Sequence, residues 1–146
     1  MVALTAAPLA RALTAAKPRL VMFHRFSRGD SFRRMSLADF EWHIRYLQRH
    51  YRIVSLREVV RCLKAGEPLP HRAVAITFDD GHRDFLELAY PLLVRLRVPA
   101  TLYLVSDFVS QRIWLWSDAI HYLMRQAPAG RYHYMEIGRA SCRERV

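Results

Sequence analysis

Ala75-Ile76-Thr77-Phe78-Asp79-Asp80-Gly81 is an apolar run that stops on two adjacent carboxylates and a glycine. A buried strand ending this way sets unneutralised charge at the rim of an apolar sheet. Such an arrangement is costly unless a cation or a reaction uses it. Counted back to Ala73, the run is apolar nearly throughout. That pattern suits a parallel strand covered on both faces.

Working outward, strand-like and helix-like segments alternate. Arg19 to Phe23 predicts a short strand ending at His24, followed by a polar stretch from Arg25 to Arg34 with a turn at Gly29-Asp30. Ser36 caps a helix in which Leu37, Phe40, Ile44 and Leu47 share one face. Tyr51 to Val54 predicts a second strand. Ser55, with Glu58 three residues on, caps a second helix that Gly66 ends. After the Asp-Asp-Gly turn a third helix runs from Gly81 to Leu96, and Pro91 should kink or split it. Ala100 to Val105 predicts a fourth strand, ending at Ser106-Asp107, and Trp114 to Met124 a further helix. Strands alternating with helices indicate an α/β fold with a parallel sheet and right-handed crossovers. Active sites of such sheets gather at the carboxyl ends of strands, where His24, Asp79-Asp80 and Ser106-Asp107 all fall.

The chain has 146 residues, 52% of them hydrophobic and 25% charged, enough for one globular domain. Its formal net charge of +10 comes almost entirely from arginine, because Lys17 and Lys64 are the only lysines. The arginines are scattered rather than gathered into a stripe, so nucleic-acid binding is not expected. Three segments follow. Residues 1–18 are an Ala-rich extension without a basic start, interrupted by Arg11, so neither a clear secretory signal nor a membrane span is expected of them. It could lie on a membrane surface as a peripheral contact, and localisation stays open. Residues 19–135 are the folded domain. Residues 136–146 back-translate to a stretch containing AGATCGGAAGAGC and its continuation, which resembles a short-read sequencing adapter read in frame. These eleven residues are expected to be a non-native tail. Without their three Arg and two Glu the net charge becomes +9, and Cys62 is left as the one thiol, suited to a helix core.

Adjacent acids at a strand end diverge, so one can face a hard cation while its neighbour takes a proton. A plain Asp N-cap and turn would use the same residues. Thr77-Phe78-Asp79-Asp80-Gly81, together with Leu20-Val21-Met22-Phe23-His24-Arg25-Phe26, Ala89-Tyr90-Pro91-Leu92-Leu93 and Val98-Pro99-Ala100-Thr101-Leu102-Tyr103-Leu104, resembles the polysaccharide deacetylases of the NodB-homology type. The resemblance spans about residues 19–125. It implies the N-terminal half of a distorted (β/α) barrel and a hydrolase that removes N-acetyl groups from a glycan. Asp79 would be the general base and Asp80 a ligand of a divalent metal, zinc above all. By its place at a strand's carboxyl end, His24 reads equally as a substrate contact or as a histidine satisfied by neighbouring backbone. The family's two further histidine ligands, in a His-Ser/Thr-x-x-x-His-type motif, have no match in this sequence. His121 and His133 lack the spacing and the neighbours, and His43 and His50 read as solvated on or beside a surface helix, so the chain by itself is expected to be inactive. His82 stands where the family often carries an aromatic residue, at the lip of the pocket. Asp107 reads as a loop cap, and Trp114 and Trp116 as core residues before sugar platforms. Two other readings use the same acids or the same barrel: a non-catalytic glycan binder and a Mg²⁺-dependent phosphohydrolase. The latter needs phosphate-cradling glycine loops, and the chain has only five glycines.

Overall fold

The computed structural model describes residues 17–31 and 34–127. The Ala-rich residues before Lys17, His133 and the tail 136–146 lie outside them. The chain divides after Ile113 into two compact units.

Among the described residues of the first unit the named strands all pair in parallel, and one isolated antiparallel bridge joins Ser31 and Arg34. Strand β1 (Arg19–Phe23) pairs with β5 (Ala73–Phe78) from Val74 to Phe78. The other edge of β5 is shared: β4 (Arg52–Ile53) pairs with its start and β6 (Thr101–Leu102) with its end. Two residues each from β2 (Phe26–Ser27) and β3 (Met35–Ser36) form a separate parallel ladder. It falls within and just after the stretch read as polar loop. Its register is set by the Met35 amide, which donates to the Arg25 carbonyl (3.0 Å), rather than by any local apolar run.

All six residues of β5 are buried, because both its faces are covered. Ile76 and Phe78 point to one side. There α1 (Leu37–His50) supplies Phe40 and Ile44, and α3 (Tyr90–Leu96) supplies Leu92 and Leu93. Ala73 and Ala75 point to the other, against Val59 of α2 (Leu56–Ala65). Small residues on that face let the helix approach closely. Cys62, also on α2, is buried and free. Helices on both faces of a parallel sheet are the α/β arrangement the alternation implies.

The helix ends follow local chemistry. Ser36 Oγ accepts from the Asp39 amide and Ser55 Oγ from the Glu58 amide, both at 3.1 Å. Gly66 closes α2 in the left-handed conformation (φ 64°). Pro91 does not split its helix: residues 83–96 stay helical without a break, and the proline is accommodated by a change in hydrogen bonding. It has no N–H to donate, and the chain widens ahead of it into a π-helical turn, Phe85–Ala89, where the Tyr90 amide reaches back to the Phe85 carbonyl. Pro91 then sits in the first turn of α3, where no donor is required. Helices α1 and α3 are tied at the surface by Arg95 to Glu41 (2.8 Å). The Arg45 guanidinium, hydrogen-bonded to Glu41 one turn away and joined by Arg95, holds that carboxyl below its usual range.

Two expectations change. The fourth strand is shorter than Ala100 to Val105. Its ladder covers Thr101–Leu102, the Tyr103 amide adds one bond to the Phe78 carbonyl (2.8 Å), and the chain then turns into α4 (Ser106–Val109). In the second unit, α5 (Trp116–Gln126) forms as expected. Trp114 and Trp116 are exposed rather than core residues, at 62% and 77%, and Trp114 meets Tyr122 edge-on.

Candidate active site

Strand β5 delivers Asp79 and Asp80 to the end of the sheet. The Asp79 amide donates to the Phe23 carbonyl (3.1 Å), which fixes the first acid to the end of β1. The chain then turns sharply. Asp80 (φ 73°) and Gly81 (φ 79°) are both left-handed, and the Gly81 amide donates to the Asp79 carbonyl (3.0 Å). Asp tolerates this region better than most residues, yet it is still strained there. The turn separates the two carboxylates. Each is about 30% exposed, and each faces its own imidazole: His24 Nε2 lies 3.8 Å from Asp79 Oδ2, and His82 Nε2 lies 3.5 Å from Asp80 Oδ2.

Both acids line a cleft of about 590 Å³. Its remaining walls are mostly apolar: Leu20 and Met22 from β1, Leu56 from α2, and Tyr103, Leu104 and Val105 after β6. A concave, largely apolar cleft with convergent acids at its rim is suited to a small polar group carried on a larger molecule.

Gly81 is required at its position. A Cβ there would meet Leu104 Cδ2 at 2.5 Å and Val109 Cγ2 at 3.1 Å, on a backbone that favours glycine. Leu104 is exposed and can swing away, so backbone strain dominates. Gly81→Ala should lower stability by about 1–2 kcal/mol, the cost of a left-handed non-glycine residue. Urea titration of the chain measures it, and an unchanged midpoint would refute the requirement.

The structure gathers His24, Asp79 and Asp80 and leaves Asp107 out. The Asp107 carboxylate is 3.6 Å from Arg112, and its carbonyl accepts from the Arg112 and Ile113 amides. Asp107 thus organises the loop after α4, as a loop cap does, and does not join the rim. Two features escaped sequence reasoning. His82, expected at the pocket lip, is buried with its ring edge on Phe108 (5.2 Å between centroids) and its Nε2 toward Asp80. Arg25 reaches Asp84 across 59 residues of sequence. The clue to His82 was its two-residue offset from Asp80 across a turn. For the Arg25 contact the sequence held no local signal.

Among the described residues no group of three or more His, Cys, Asp and Glu side chains is arranged to hold a metal ion. Zinc sites use three or four protein ligands. The described residues therefore do not form a metal centre by themselves. Also among them, no helix is long and apolar enough to cross a membrane.

Residues 66–132 match the family model described as polysaccharide deacetylase. The chain is 30% identical over 98 residues to YxkH of Bacillus subtilis (strain 168), named as a polysaccharide deacetylase. The match covers 66% of this chain and 35% of that protein. It is 33% identical over 78 residues to the poly-beta-1,6-N-acetyl-D-glucosamine N-deacetylase of Staphylococcus aureus (strain MSSA476), covering 53% of this chain and 27% of the relative. The chain thus spans about a third of the length of these relatives. A de-N-acetylase from Aggregatibacter actinomycetemcomitans superposes with a TM-score of 0.57 at 18% identity, covering 75% of this chain and 51% of that one. The Streptococcus pyogenes deacetylase PplD superposes with a TM-score of 0.56 at 21% identity, covering 73% and 51%. These two likenesses establish the fold: a mixed α/β arrangement of parallel strands and helices, consistent with half of a deacetylase barrel.

Proposed function

From a chain whose residues 66–132 match the polysaccharide deacetylase family model, we propose that the complete protein is a carbohydrate N-deacetylase. It hydrolyses the acetamide of an N-acetylated glycan to acetate and a free amino sugar. The supporting observation is the pair of acids on one rim, turned apart so that each faces a different histidine.

Asp79 accepts the proton of the attacking water. The water oxygen bonds to the acetyl carbon, the carbon–nitrogen bond breaks, and the departing nitrogen takes up a proton. Asp79 returns it, directly or through His24, whose Nε2 is 3.8 Å away. His24, half exposed at the same rim, also stands where it can hydrogen-bond the sugar. Asp80 would contribute one oxygen ligand to a divalent cation, with zinc the ion this reading favours. When bound, such an ion polarises the carbonyl and its water. The other ligands come from sequence that this chain does not include. The apolar walls receive the acetyl methyl group. The first substrate to try is the β-1,6-linked N-acetylglucosamine polymer for which the Staphylococcus aureus relative is named.

The test is acetate release from N-acetylglucosamine oligomers. The complete protein should release acetate and lose that activity on chelation. The 146-residue chain should release none and should not retain zinc on dialysis, since it lacks the ligand number a zinc site needs. Glycan binding by the complete protein without acetate release would replace the enzyme with a glycan-binding relative. Acetate release by the 146-residue chain would overturn the assignment of missing ligands.

A further inference from the structure

We propose that Arg25 and Asp84 are positioning residues, an ion pair that holds His24 against Asp79; the catalytic part of this inference rests on the deacetylase reading. His24 and Arg25 are consecutive residues just past the end of β1. His24 Nε2 is directed at Asp79, and Arg25 Nε donates to Asp84 Oδ2 at 3.0 Å. Asp79 and Asp84 in turn bracket the left-handed turn at Asp80-Gly81. The two ends of the active rim are thus joined three times: by the Asp79 amide on the Phe23 carbonyl, by the His24–Asp79 contact and by the Arg25–Asp84 pair.

Of these contacts the Arg25–Asp84 pair is the strongest restraint on side-chain geometry. His24 is 47% exposed and its contact at 3.8 Å is longer than a hydrogen bond, so it does not hold itself in place. The Arg25 and Asp84 side chains are 24% and 13% exposed, and Asp84 Oδ1 is buried without a hydrogen-bond partner among the described residues. A carboxylate so placed depends on its cation, since an uncompensated buried charge is strongly unfavourable. Arg25 cannot leave without that cost, and its carbonyl is held by the Met35 amide. The residue next to His24 is therefore anchored by both backbone and side chain.

The experiment separates positioning from plain stability. Arg25→Met and Asp84→Leu, made singly, should each lower the melting temperature. Made together in the complete protein they remove both charges, and stability should return near the parent's, as apolar replacement of buried ion pairs often allows. The kcat for acetate release should nonetheless stay about 10- to 100-fold low, the effect of a displaced reacting group, with any rise in KM from a lost sugar contact smaller than that fall. Recovery of kcat together with melting temperature would overturn the proposal, as would a loss confined to KM. A crystal structure of the double variant gives a readout independent of activity. A His24 Nε2 to Asp79 Oδ2 separation longer than 3.8 Å supports the proposal, and an unchanged one overturns it. Should the double variant fail to fold, Asp84→Asn is read by its His24 Nε2 to Asp79 Oδ2 separation alone, a longer one supporting the proposal and an unchanged one overturning it. Full turnover by Asp79→Asn would sink the deacetylase reading, while the measured separation still decides whether the pair positions His24.

Discussion

Replacing Phe78 with alanine lowers the unfolding free energy of the chain by about 3–5 kcal/mol, the range for truncating a buried phenylalanine. Phe78 is fully buried on the last turn of the pleat before Asp79. Its ring centroid lies 4.7 Å from Phe85, 5.7 Å from Phe23, 5.8 Å from Phe26 and 5.9 Å from Phe40. Those four rings come from β1, β2, α1 and the π-helical turn, so the void would open where four elements meet. Collapse around it is hindered because Phe78 also anchors the backbone: its carbonyl accepts from the Tyr103 amide, and its strand pairs with β1 and β6. Leu20, at 61% exposure on β1, is the matched control, and Leu20→Ala should stay within about 0.5 kcal/mol of the parent. Urea denaturation reads both. A Phe78→Ala loss no larger than the Leu20→Ala loss would show that this cluster is not the centre of the core.

The contrast between what could and could not be read from sequence follows contact distance. Ser36, Ser55 and Gly66 announce helix ends because capping is settled within three or four residues. Pro91 announces a disturbed helix for the same reason, although its form, a widened turn ahead of the proline within an unbroken helix, depends on how Phe85 and Leu88 pack into the core. The left-handed residue closing α3 is Arg97 (φ 53°), which no composition rule singles out. Strands β2 and β3 were hidden because two-residue ladders carry no period; only their long-range partners define them. In the site, Asp79, Asp80 and His24 were legible because each stands at the end of an apolar strand, and strand ends converge in a parallel sheet. Asp107 met the same rule and left the rim, because the fourth strand stops at Leu102 and the chain has turned into α4 before reaching it. The Arg25–Asp84 pair was invisible, since it joins two charged side chains 59 residues apart.

In the complete protein, Asp79→Asn should reduce kcat for glycan deacetylation by about 10²- to 10⁴-fold, the contribution of a positioned general base. The fold should hardly notice. Asparagine has nearly the same shape, the carboxylate is part exposed, and the His24 ring set against it is 3.8 Å away rather than in a tight pair. The backbone contacts that fix residue 79, its amide to Phe23 and its carbonyl to Gly81, do not involve the side chain. Melting temperature and KM should therefore stay close to the parent while kcat falls, the signature of an interaction made only in the transition state. Asp80→Asn should differ in kind. Its side chain is the proposed cation ligand, so its loss should lower metal content along with turnover, and added metal should restore part of the rate. Asp79→Asn should keep its metal and show no such recovery. If instead Asp79→Asn lost metal and Asp80→Asn kept it, the two roles would be exchanged. If both variants turned over at the parent rate, the acids would be nothing more than the cap of a turn, and the cleft beside them would not be where acetyl groups are removed.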